Sequence, residues 1–361
     1  MKLFVFGSSL TSSYWNGAAT YYRGIYKYLH RLGHEITFAE PDIYDRQKNR
    51  DTGDFSYANV VVYQTPRDID SLLGRACDSD LVIKHSGVGA DDDLLERRVL
   101  ECKSDRTRVA FWDVDAPATL ARVEETSSDA FRALIPQYDF IFTYGGGGPI
   151  VRHYQRLGAA NCHPIYNALD PDHHHPVAPE QKFECDLAFV GNRLPDRETR
   201  VEDLFLRAAA LAPELKFVLG GEGWGGKAIP SNIRWIGHVA TNRHNAVNCS
   251  ARMVLNINRN SMANVGFSPP TRVFEAAGAG ACTITDRWPG IDHFFAPDSE
   301  ILIASSAEEI VAHLRSHNAK KGRAIGEAMR ARALSDHTYE LRVRDVDSIL
   351  KAQQVERAVP A

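Results

Sequence analysis

The residues best suited to chemistry lie in the segment SPPTRVFEAAGAGACTITD, residues 268–286. Spacings of three and four place four polar side chains on one ridge of a helix: Ser268, Thr271, Arg272 and Glu275. We predict that Ser268 caps this helix, that the two prolines after it occupy the first turn, and that Gly280 ends it. Such a ridge suits a nucleotide, with amides and Arg for phosphate and Glu for ribose hydroxyls. An ordinary amphipathic helix with a solvated face is the alternative.

A second basic segment, GNRLPDR at residues 191–197, follows a predicted strand. Gly191 and Asn192 would let the backbone approach a ligand closely, and Arg193 and Arg197 can offer bidentate forks to phosphate oxygens. In addition, residues 223–274 contain no Asp or Glu but six basic residues, at positions 227, 234, 243, 252, 259 and 272. This block favours a diphosphate pocket, with chance and surface arginines as the alternative.

The segment GEGWGG, residues 221–226, has the GxGxxG spacing of a dinucleotide-binding loop. We reject that interpretation, because the fingerprint needs a helix N-terminus to receive the pyrophosphate and here a strand follows after a short stretch with Pro230. A flexible glycine loop between two strands is the better interpretation. Gly221 could still contact a ligand.

Three candidates for general base catalysis follow predicted buried strands. Asp113 and Asp115 lie two residues apart, so either could act as a base or stabilise a developing positive charge. Formation of the turn before Ala-Pro explains both equally well. His85 is the third candidate, with a core or capping use as its alternative.

The segment YWNG, residues 14–17, follows the first predicted strand. Tyr14, Trp15 and Asn16 could stack on a sugar and hydrogen-bond to it, and Gly17 completes the segment. Exposed aromatic residues in a mobile loop without a binding function are the alternative.

The composition indicates which classes of partner the protein is suited to bind. A net charge of −4, from 42 basic and 46 acidic residues, disfavours nucleic-acid binding and favours a small-molecule partner. The sequence shows no signal peptide and no 18-residue apolar run, which predicts a cytoplasmic protein without a membrane span.

The six cysteines form no CxxC pair, which predicts free thiols and no zinc site. The three adjacent histidines at 173–175 cannot all face one ion, so we predict a solvated linker there and assign no metal.

Apolar runs that read as buried parallel strands alternate with helical stretches twice along the chain. The first set comprises residues 3–7, 35–39, 60–63, 81–84, 109–112 and 140–143, and the second comprises residues 186–190, 217–219, 233–236, 254–257 and 283–285. Right-handed crossovers would stack each set into an open sheet with ligand loops at its carboxyl edge. We predict domains at residues 1–168 and 183–336, a linker at 169–182, and a C-terminal segment at 337–361.

These motifs resemble those of the GT-B glycosyltransferases, in particular the CgeB-like (spore-maturation-like) branch of the group-1 superfamily. The matching pieces are WNG at 15–17, WDVDAP at 112–117, YNALDP at 166–171, LAFVGNRLPDR at 187–197 and the segment 255–286. The resemblance implies an α/β fold of two doubly wound Rossmann-like domains facing across a cleft. The acceptor would bind the N-terminal domain and the nucleotide-sugar the C-terminal domain, and the last helix would cross back to the first domain.

The resemblance also implies roles for individual residues. Glu275 would hold the donor ribose, Arg193 and Arg197 would contact the diphosphate, and the backbone at His238 and Val239 would read the base.

Two departures limit what carries over. Phe267 stands where the E-x7-E motif of the superfamily has its first glutamate, and Asp113 stands where many relatives place a histidine, so the stereochemistry does not carry over.

We predict a metal-independent glycosyltransferase of the hexosyltransferase type, which moves a sugar from a nucleoside diphosphate to an unidentified acceptor without a cofactor. A GT-B nucleotide-sugar epimerase and a non-catalytic nucleotide-sugar-binding protein are the alternatives. The sequence does not name the sugar, the base, the acceptor or the oligomeric state.

Overall fold

Two parallel sheets, each covered by helices, organise the chain. The computed structural model describes residues 1–51, 53–126 and 128–358, and the last three residues of the predicted segment 337–361 lie outside that description. The chain divides into unit 1, Met1–Tyr166 with Tyr339–Ala361, and unit 2, Asn167–Thr338. None of the described helices is both long enough and apolar enough to cross a membrane.

Unit 1 contains a seven-stranded sheet in the order β3-β2-β1-β4-β5-β6-β7. Its strands are β1 (Lys2–Phe6), β2 (Glu35–Pro41), β3 (Asn59–Tyr63), β4 (Leu81–His85), β5 (Arg108–Asp113), β6 (Phe140–Thr143) and β7 (Cys162–Pro164). The helices between them are α1 (Ala19–Arg31), α2 (Pro66–Ala76), α3 (Asp92–Arg98), α4 (Ala116–Glu125), α5 (Ala130–Leu134) and α6 (Gly147–Arg156). All neighbouring strands pair in parallel.

Unit 2 contains a six-stranded parallel sheet in the order β10-β9-β8-β11-β12-β13. Its strands are β8 (Cys185–Val190), β9 (Phe217–Gly220), β10 (Ile233–Trp235), β11 (Ala251–Asn256), β12 (Thr283–Asp286) and β13 (Leu302–Ala304). Its helices are α7 (Pro195–Val201), α8 (Arg207–Leu211), α9 (His244–Ser250), α10 (Asn260–Val265), α11 (Thr271–Ala279), α12 (Ile291–Phe294), α13 (Ala307–Ser316) and α14 (Ala319–Asp336). A π-helical turn, Glu202–Leu206, joins α7 to α8.

The predicted fold class, α/β with two doubly wound Rossmann-like sheets, is confirmed by these topologies. Each predicted strand is present. Most of them are covered on both faces and have the continuous apolar run that the prediction used, whereas the edge strands β3 and β10 are partly exposed. The two strands that the prediction missed, β7 and β13, are three-residue edge strands, too short for such a run. In both sheets the strand order reverses near the middle, between β1 and β4 and between β8 and β11, and the loops at these carboxyl ends diverge to leave a crevice.

The start of the helix predicted around Glu275 differs from the structure. α11 begins at Thr271, and Pro270 precedes it in an extended conformation with φ −66° and ψ 155°. Ser268 does not cap the helix, because its hydroxyl donates a hydrogen bond to the Gly266 carbonyl at 2.9 Å. The predicted end is confirmed, since Gly280 closes α11 with a left-handed φ of 70°.

The segment predicted as a linker, residues 169–182, belongs to unit 2. Leu169 is fully buried, and its amide donates to the His337 carbonyl at 2.7 Å. The prediction of a solvated histidine run is wrong for His174, which is 3% exposed and packs against Gly278 of α11. His173 and His175 on either side of it are exposed, and the amides of His173 and His174 both donate to the Asp170 carbonyl in a turn.

The last helix, α15 (Tyr339–Ala358), packs on α1 within unit 1. Gly24 makes this contact possible, because a Cβ atom there would lie 2.2 Å from the ring of Tyr339. His34 and Asp347 add a polar contact of 3.3 Å between Nε2 and Oδ1. The last helix can therefore pack on α1 in this position only because residue 24 of α1 has no side chain.

The prediction of free thiols is wrong for two of the cysteines, because Cys77 and Cys102 form a disulfide. Cys77 follows the end of α2, and Cys102 ends a 3₁₀ turn, Val99–Cys102, that packs on the same helix. The spacing in the sequence does not reveal this pair, since the fold alone brings the two turns together. The other four cysteines are free thiols.

Reduction of this disulfide should destabilise unit 1. A cross-link between residues 25 apart restricts the unfolded chain, and its loss should lower the free energy of unfolding by about 3 kcal/mol. Urea unfolding with and without dithiothreitol measures the effect. Cys77→Ser should remove the sensitivity to reductant, whereas the matched control Cys249→Ser should keep it. A count of six reactive thiols in the denatured, unreduced protein would contradict the assignment.

Candidate functional site

The crevice at the carboxyl ends of β8 and β11 gathers most of the predicted donor residues. Gly191 follows β8 directly, Asn258 lies just beyond β11, and α11 begins above the same edge. Strands that diverge in this way expose their loops and helix N-termini to a ligand.

Two guanidinium groups flank Gly191. A Cβ atom at this position would lie 2.8 Å from Nη2 of Arg197 and 3.1 Å from Nη2 of Arg272. Both guanidinium groups also lie over the ring of Phe189, with their central carbons 5.6 Å and 5.5 Å from its centroid. Any side chain at residue 191 would displace an arginine, so the glycine is needed for this close approach.

The two arginines of this pair make no direct ion pair with a carboxylate in the described part of the chain. Neither Arg197 nor Arg272 has an ion-pair partner among the described residues; Arg197 donates to the Asn192 carbonyl at 2.5 Å and Arg272 to Oδ1 of Asn256 at 3.2 Å. Nε of Arg197 is buried and has no hydrogen-bond partner. Burial, with the like charges of Arg272 and Arg259, lowers the pKa of Arg197 to about 9. Such a cluster is stabilised by an anion and destabilised without one.

Arg193, the other arginine predicted to contact phosphate, is neutralised by a carboxylate. Its Nη2 lies 2.7 Å from Oε1 of Glu198, which also receives Nζ of Lys227 at 2.6 Å. Its Nη1 donates to the Gly223 carbonyl at 3.4 Å. Arg193 therefore differs from Arg197 and Arg272 in having its charge already paired.

The glycine loop, residues 221–226, lies between β9 and β10 as predicted, but hydrogen bonds hold it in place. Gly221 has a φ of 116° and sits so close to Gly191 that a Cβ atom would lie 2.3 Å from the Gly191 carbonyl oxygen. The indole of Trp224 donates to that same oxygen at 2.9 Å, and the amide of Glu222 donates to Oδ1 of Asn192 at 3.0 Å. The loop thus fixes Gly191 and Asn192 through these two hydrogen bonds.

Glu275 lies on the second turn of α11 and is 7% exposed. Its Oε2 is 3.1 Å from Nδ1 of His244, and Nε2 of His244 is 3.2 Å from the Val239 carbonyl. Burial alone would raise the pKa of Glu275, but His244, His174 and Arg272 outweigh it and lower the pKa to about 2. The carboxylate is therefore ionised and acts only as an acceptor.

The remaining predicted donor residues occupy different positions. His238 is exposed, Val239 is buried, and its carbonyl faces His244. Thr271 is partly buried at the start of α11, whereas Ser268 is 1% exposed and faces Gly266. Of the four-residue ridge predicted on this helix, Arg272 and Glu275 are the members with charged partners nearby.

The sequence reasoning missed three residues of the site: His174, His244 and Asn256. Arg259 lies in the stretch without acidic residues, so that signal points to it, and it is paired with Asp196 at 3.1 Å. His244 lies 31 residues before its partner Glu275, a separation without any local pattern. Only the packing of α9 against α11 brings those two side chains together.

In unit 1, two of the three predicted catalytic residues are fully buried. Asp113 accepts hydrogen bonds from Ser86 at 2.7 Å, Thr119 at 3.0 Å and Tyr154 at 2.5 Å, and burial raises its pKa. His85 contacts the hydroxyl of Tyr26 at 2.5 Å, and burial lowers its pKa to about 3. Both side chains therefore brace the end of the sheet.

Asp115 is the predicted catalytic residue that reaches the edge of the sheet. It is partly exposed at the N-terminal end of α4, and its amide donates to Oδ1 of Asp113 at 2.9 Å. Asp113 thus holds the turn that presents Asp115.

The predicted acceptor segment, residues 14–17, presents one large aromatic side chain. Trp15 is 50% exposed and has a left-handed φ of 48°. Arg46 donates to the Trp15 carbonyl at 3.3 Å, and buried Asn16 donates to the carbonyls of Ser9 and Ser12 at 2.8 and 3.0 Å. Asn16 therefore braces the loop, while Tyr14 is partly buried and Gly17 has open space around it.

Comparison with known proteins adds to this geometry. Residues 197–348 match the model of a family described as glycosyl transferase-like. That range includes Arg197, Arg272, His244 and Glu275. No curated protein matches the sequence.

Solved structures resemble the chain over nearly its whole length. HepE of Anabaena in complex with UDP-glucose is 12% identical with a TM-score of 0.66, and the alignment covers 98% of this chain and 100% of HepE. Sucrose-phosphate synthase from Thermosynechococcus elongatus is 12% identical with a TM-score of 0.66, covering 99% and 100%. An α-glucosyltransferase in complex with UDP-glucose and DNA is 12% identical with a TM-score of 0.71, covering 97% and 99%. The chain thus has the fold of the GT-B glycosyltransferases that it resembles, with a glycosyl transferase-like match over residues 197–348.

Proposed function

We propose that the protein is a glycosyltransferase that moves a sugar from a nucleoside diphosphate to an acceptor. The observation that carries this proposal is the pair of arginines without an ion-pair partner among the described residues, Arg197 and Arg272, around Gly191 at the switch point of the second sheet. A diphosphate matches their charge and their planar donor groups. The glycosyl transferase-like match over residues 197–348, which include both arginines, supports the same conclusion.

The donor would extend from this arginine pair toward α11. The diphosphate would lie against Gly191, and the ionised carboxylate of Glu275 would accept from the ribose hydroxyls. The backbone at His238 and Val239, beside His244, would contact the base. This arrangement gives Arg197, Arg272 and Glu275 each a part of the nucleotide with complementary chemistry.

The chemistry would consist of diphosphate departure and activation of the acceptor. Arg197 and Arg272 would stabilise the negative charge that develops on the leaving diphosphate, a role that a divalent cation fills in other enzymes, so we propose a metal-independent reaction without a cofactor. In unit 1, Asp115 would accept the proton of the acceptor hydroxyl, and Asp113 and His85 would hold its surroundings. Trp15 would stack on the acceptor.

Further details are parts of the same proposal. A hexose donor is supported by the UDP-glucose complexes of HepE and of the α-glucosyltransferase. We also propose membership of the CgeB-like branch and a cytoplasmic location, on the basis of the motifs and composition of the sequence. We propose no nucleic-acid acceptor, because the net charge is −4.

A panel of nucleotide-sugars tests the proposal. Thermal unfolding with UDP-, GDP- and ADP-hexoses should identify a donor by stabilisation, and slow hydrolysis of that donor without acceptor should release the nucleoside diphosphate. Conversion of the donor sugar to an epimer would favour the epimerase alternative. Binding without turnover, even with a broad set of sugar and peptide acceptors, would favour a binding protein.

Removal of either arginine beside Gly191 should weaken diphosphate binding. Arg197→Gln and Arg272→Gln each delete a charge-assisted hydrogen bond, so affinity for the nucleoside diphosphate should fall by roughly 1.5 to 3 kcal/mol. Arg193→Gln should lose less, because Glu198 already pairs with that arginine. Titration calorimetry measures all three, with the exposed Arg207→Gln as control. If the Arg197 and Arg272 variants both bind the nucleoside diphosphate with wild-type affinity, the proposed position of the diphosphate beside Gly191 is wrong.

Glu275→Gln should separate ribose from deoxyribose recognition. The substitution keeps the shape of the side chain but removes its charge, so nucleotide affinity should fall by roughly 1 to 3 kcal/mol, and most of the preference for ribose over 2'-deoxyribose should disappear. Paired titrations with the two nucleotides measure this, and Glu308→Gln is the control. An unchanged preference would mean that Glu275 does not contact the ribose.

Asp115→Asn and Asp113→Asn should have different effects. Asp115→Asn should reduce turnover by about a hundredfold or more while donor affinity stays near the wild-type value, because it lies in the other unit. Asp113→Asn should instead lower the free energy of unfolding by about 2 kcal/mol, since three donors would lose a charged acceptor. Steady-state kinetics and urea unfolding distinguish them. If the Asp115→Asn variant turns over at the wild-type rate, Asp115 is not the general base.

A further inference from the structure

His244 has a hydrogen-bond geometry that only one protonation state satisfies. Nδ1 of its ring lies 3.1 Å from a carboxylate oxygen of Glu275, and Nε2 lies 3.2 Å from the carbonyl oxygen of Val239. Both of these groups are acceptors. A neutral imidazole has one N–H, so it can donate to only one of them, whereas the imidazolium donates to both.

The surroundings of His244 supply the charge balance. Glu275 raises the pKa of His244 above its ordinary value, although burial opposes this and Arg272 adds a smaller opposing effect. Arg272 and Glu275 face the ring from α11, and His174 faces the same carboxylate from the segment before β8. Nearby charges are paired elsewhere, since Arg243 contacts Glu180 and Arg252 contacts Asp186 at 3.0 Å.

His174 has the opposite character. Both of its ring nitrogens are buried without a hydrogen-bond partner, and burial lowers its pKa to about 4. It is therefore neutral near neutral pH and does not titrate between pH 6 and 9. Of the two histidines beside Glu275, only His244 can change its charge in that range.

We propose that His244, as an imidazolium, positions Glu275 for the ribose and makes ribose recognition by this protein depend on pH. The inference rests on the proposed function, in which Glu275 contacts the ribose. His244 is a positioning residue in this proposal, because it acts on the nucleotide through Glu275. It also connects the carboxylate to the Val239 carbonyl, and so links the segment proposed to contact the base with the residue proposed to contact the sugar.

The direction of the pH dependence follows from the raised pKa. Below the pKa of His244 in the folded protein, the ring donates to both acceptors and holds the Glu275 carboxylate in one orientation. As the pH rises through that pKa, the ring loses a proton and one acceptor loses its donor. Glu275 stays ionised throughout, because its own pKa is about 2. The preference for ribose should therefore be greatest at low pH and decline above about pH 6.5, the ordinary histidine value.

The test measures the ratio of affinities for UDP and 2'-deoxy-UDP from about pH 6 to about pH 8.5, and repeats it with the GDP and ADP pairs. The ratio cancels the ionisation of the phosphates, which both nucleotides share. In the wild-type protein we expect the ratio to fall by about tenfold or more across this range, the size of one charge-assisted hydrogen bond. His244→Gln has a neutral side chain that cannot titrate, so its ratio should be low and independent of pH.

Two further variants keep the result interpretable. Glu275→Gln should abolish both the preference and its pH dependence, and His313→Gln, which alters a histidine bonded to the Ile303 carbonyl elsewhere in unit 2, should behave as wild type. Thermal unfolding of each variant confirms that it is folded. A wild-type ribose preference that does not change with pH would overturn this inference and leave the proposed donor site intact. No ribose preference at any pH would overturn the placement of the ribose at Glu275 together with the inference.

Discussion

The site of unit 2 depends on the close approach of two like charges to one glycine. Arg197 and Arg272 can both lie against residue 191 only because it has no side chain, and Phe189 provides a shared face on which their guanidinium planes rest. Their mutual repulsion, together with burial, opposes ionisation of Arg197. The folded protein therefore maintains an electrostatically unfavourable arrangement that an anion would relieve, which is typical of a preorganised binding site.

The rest of the sheet edge keeps this arrangement rigid. The carboxyl ends of β8 and β11 diverge at the switch point, which leaves room for a ligand, while the loop at residues 221–226 closes one side. The indole of Trp224 fixes the Gly191 carbonyl at 2.9 Å, and that of Trp235 fixes the Gly221 carbonyl at the same distance. These hydrogen bonds satisfy the two backbone carbonyl groups. The arginine side chains and the Glu275 carboxylate therefore remain as the groups that can recognise a ligand.

The sequence was sufficient for the parts of the fold that arise from local patterns. Buried parallel strands have continuous apolar runs, and Arg197 could be found because it follows such a run at a sheet edge. Arg272 and Glu275 could be found because their spacing places both on one ridge of a helix. Contacts between distant segments could not be predicted. The pairing of His244 with Glu275, the disulfide between Cys77 and Cys102, and the paired state of Arg193 all depend on which turns the packing brings together. The start of α11 was missed because two prolines are equally compatible with a first helical turn and with extended backbone before it.

Buried charges in the two units show why residue type alone does not identify a functional group. Glu40 in unit 1 accepts hydrogen bonds from the backbone amide of Leu10 at 2.6 Å, the hydroxyl of Thr11 at 2.5 Å and the side-chain amide of Gln47 at 2.7 Å. Asp113 accepts hydrogen bonds from three hydroxyl groups in the same way. Both carboxylates have partners within the protein and hold loops in place, although Asp113 has the sequence position of a catalytic residue. Arg197 and Arg272 have carbonyl partners but no carboxylate among the described residues. Since a buried charge is stable only when it is compensated, the groups whose compensation is incomplete within the chain are the ones expected to find it in a ligand.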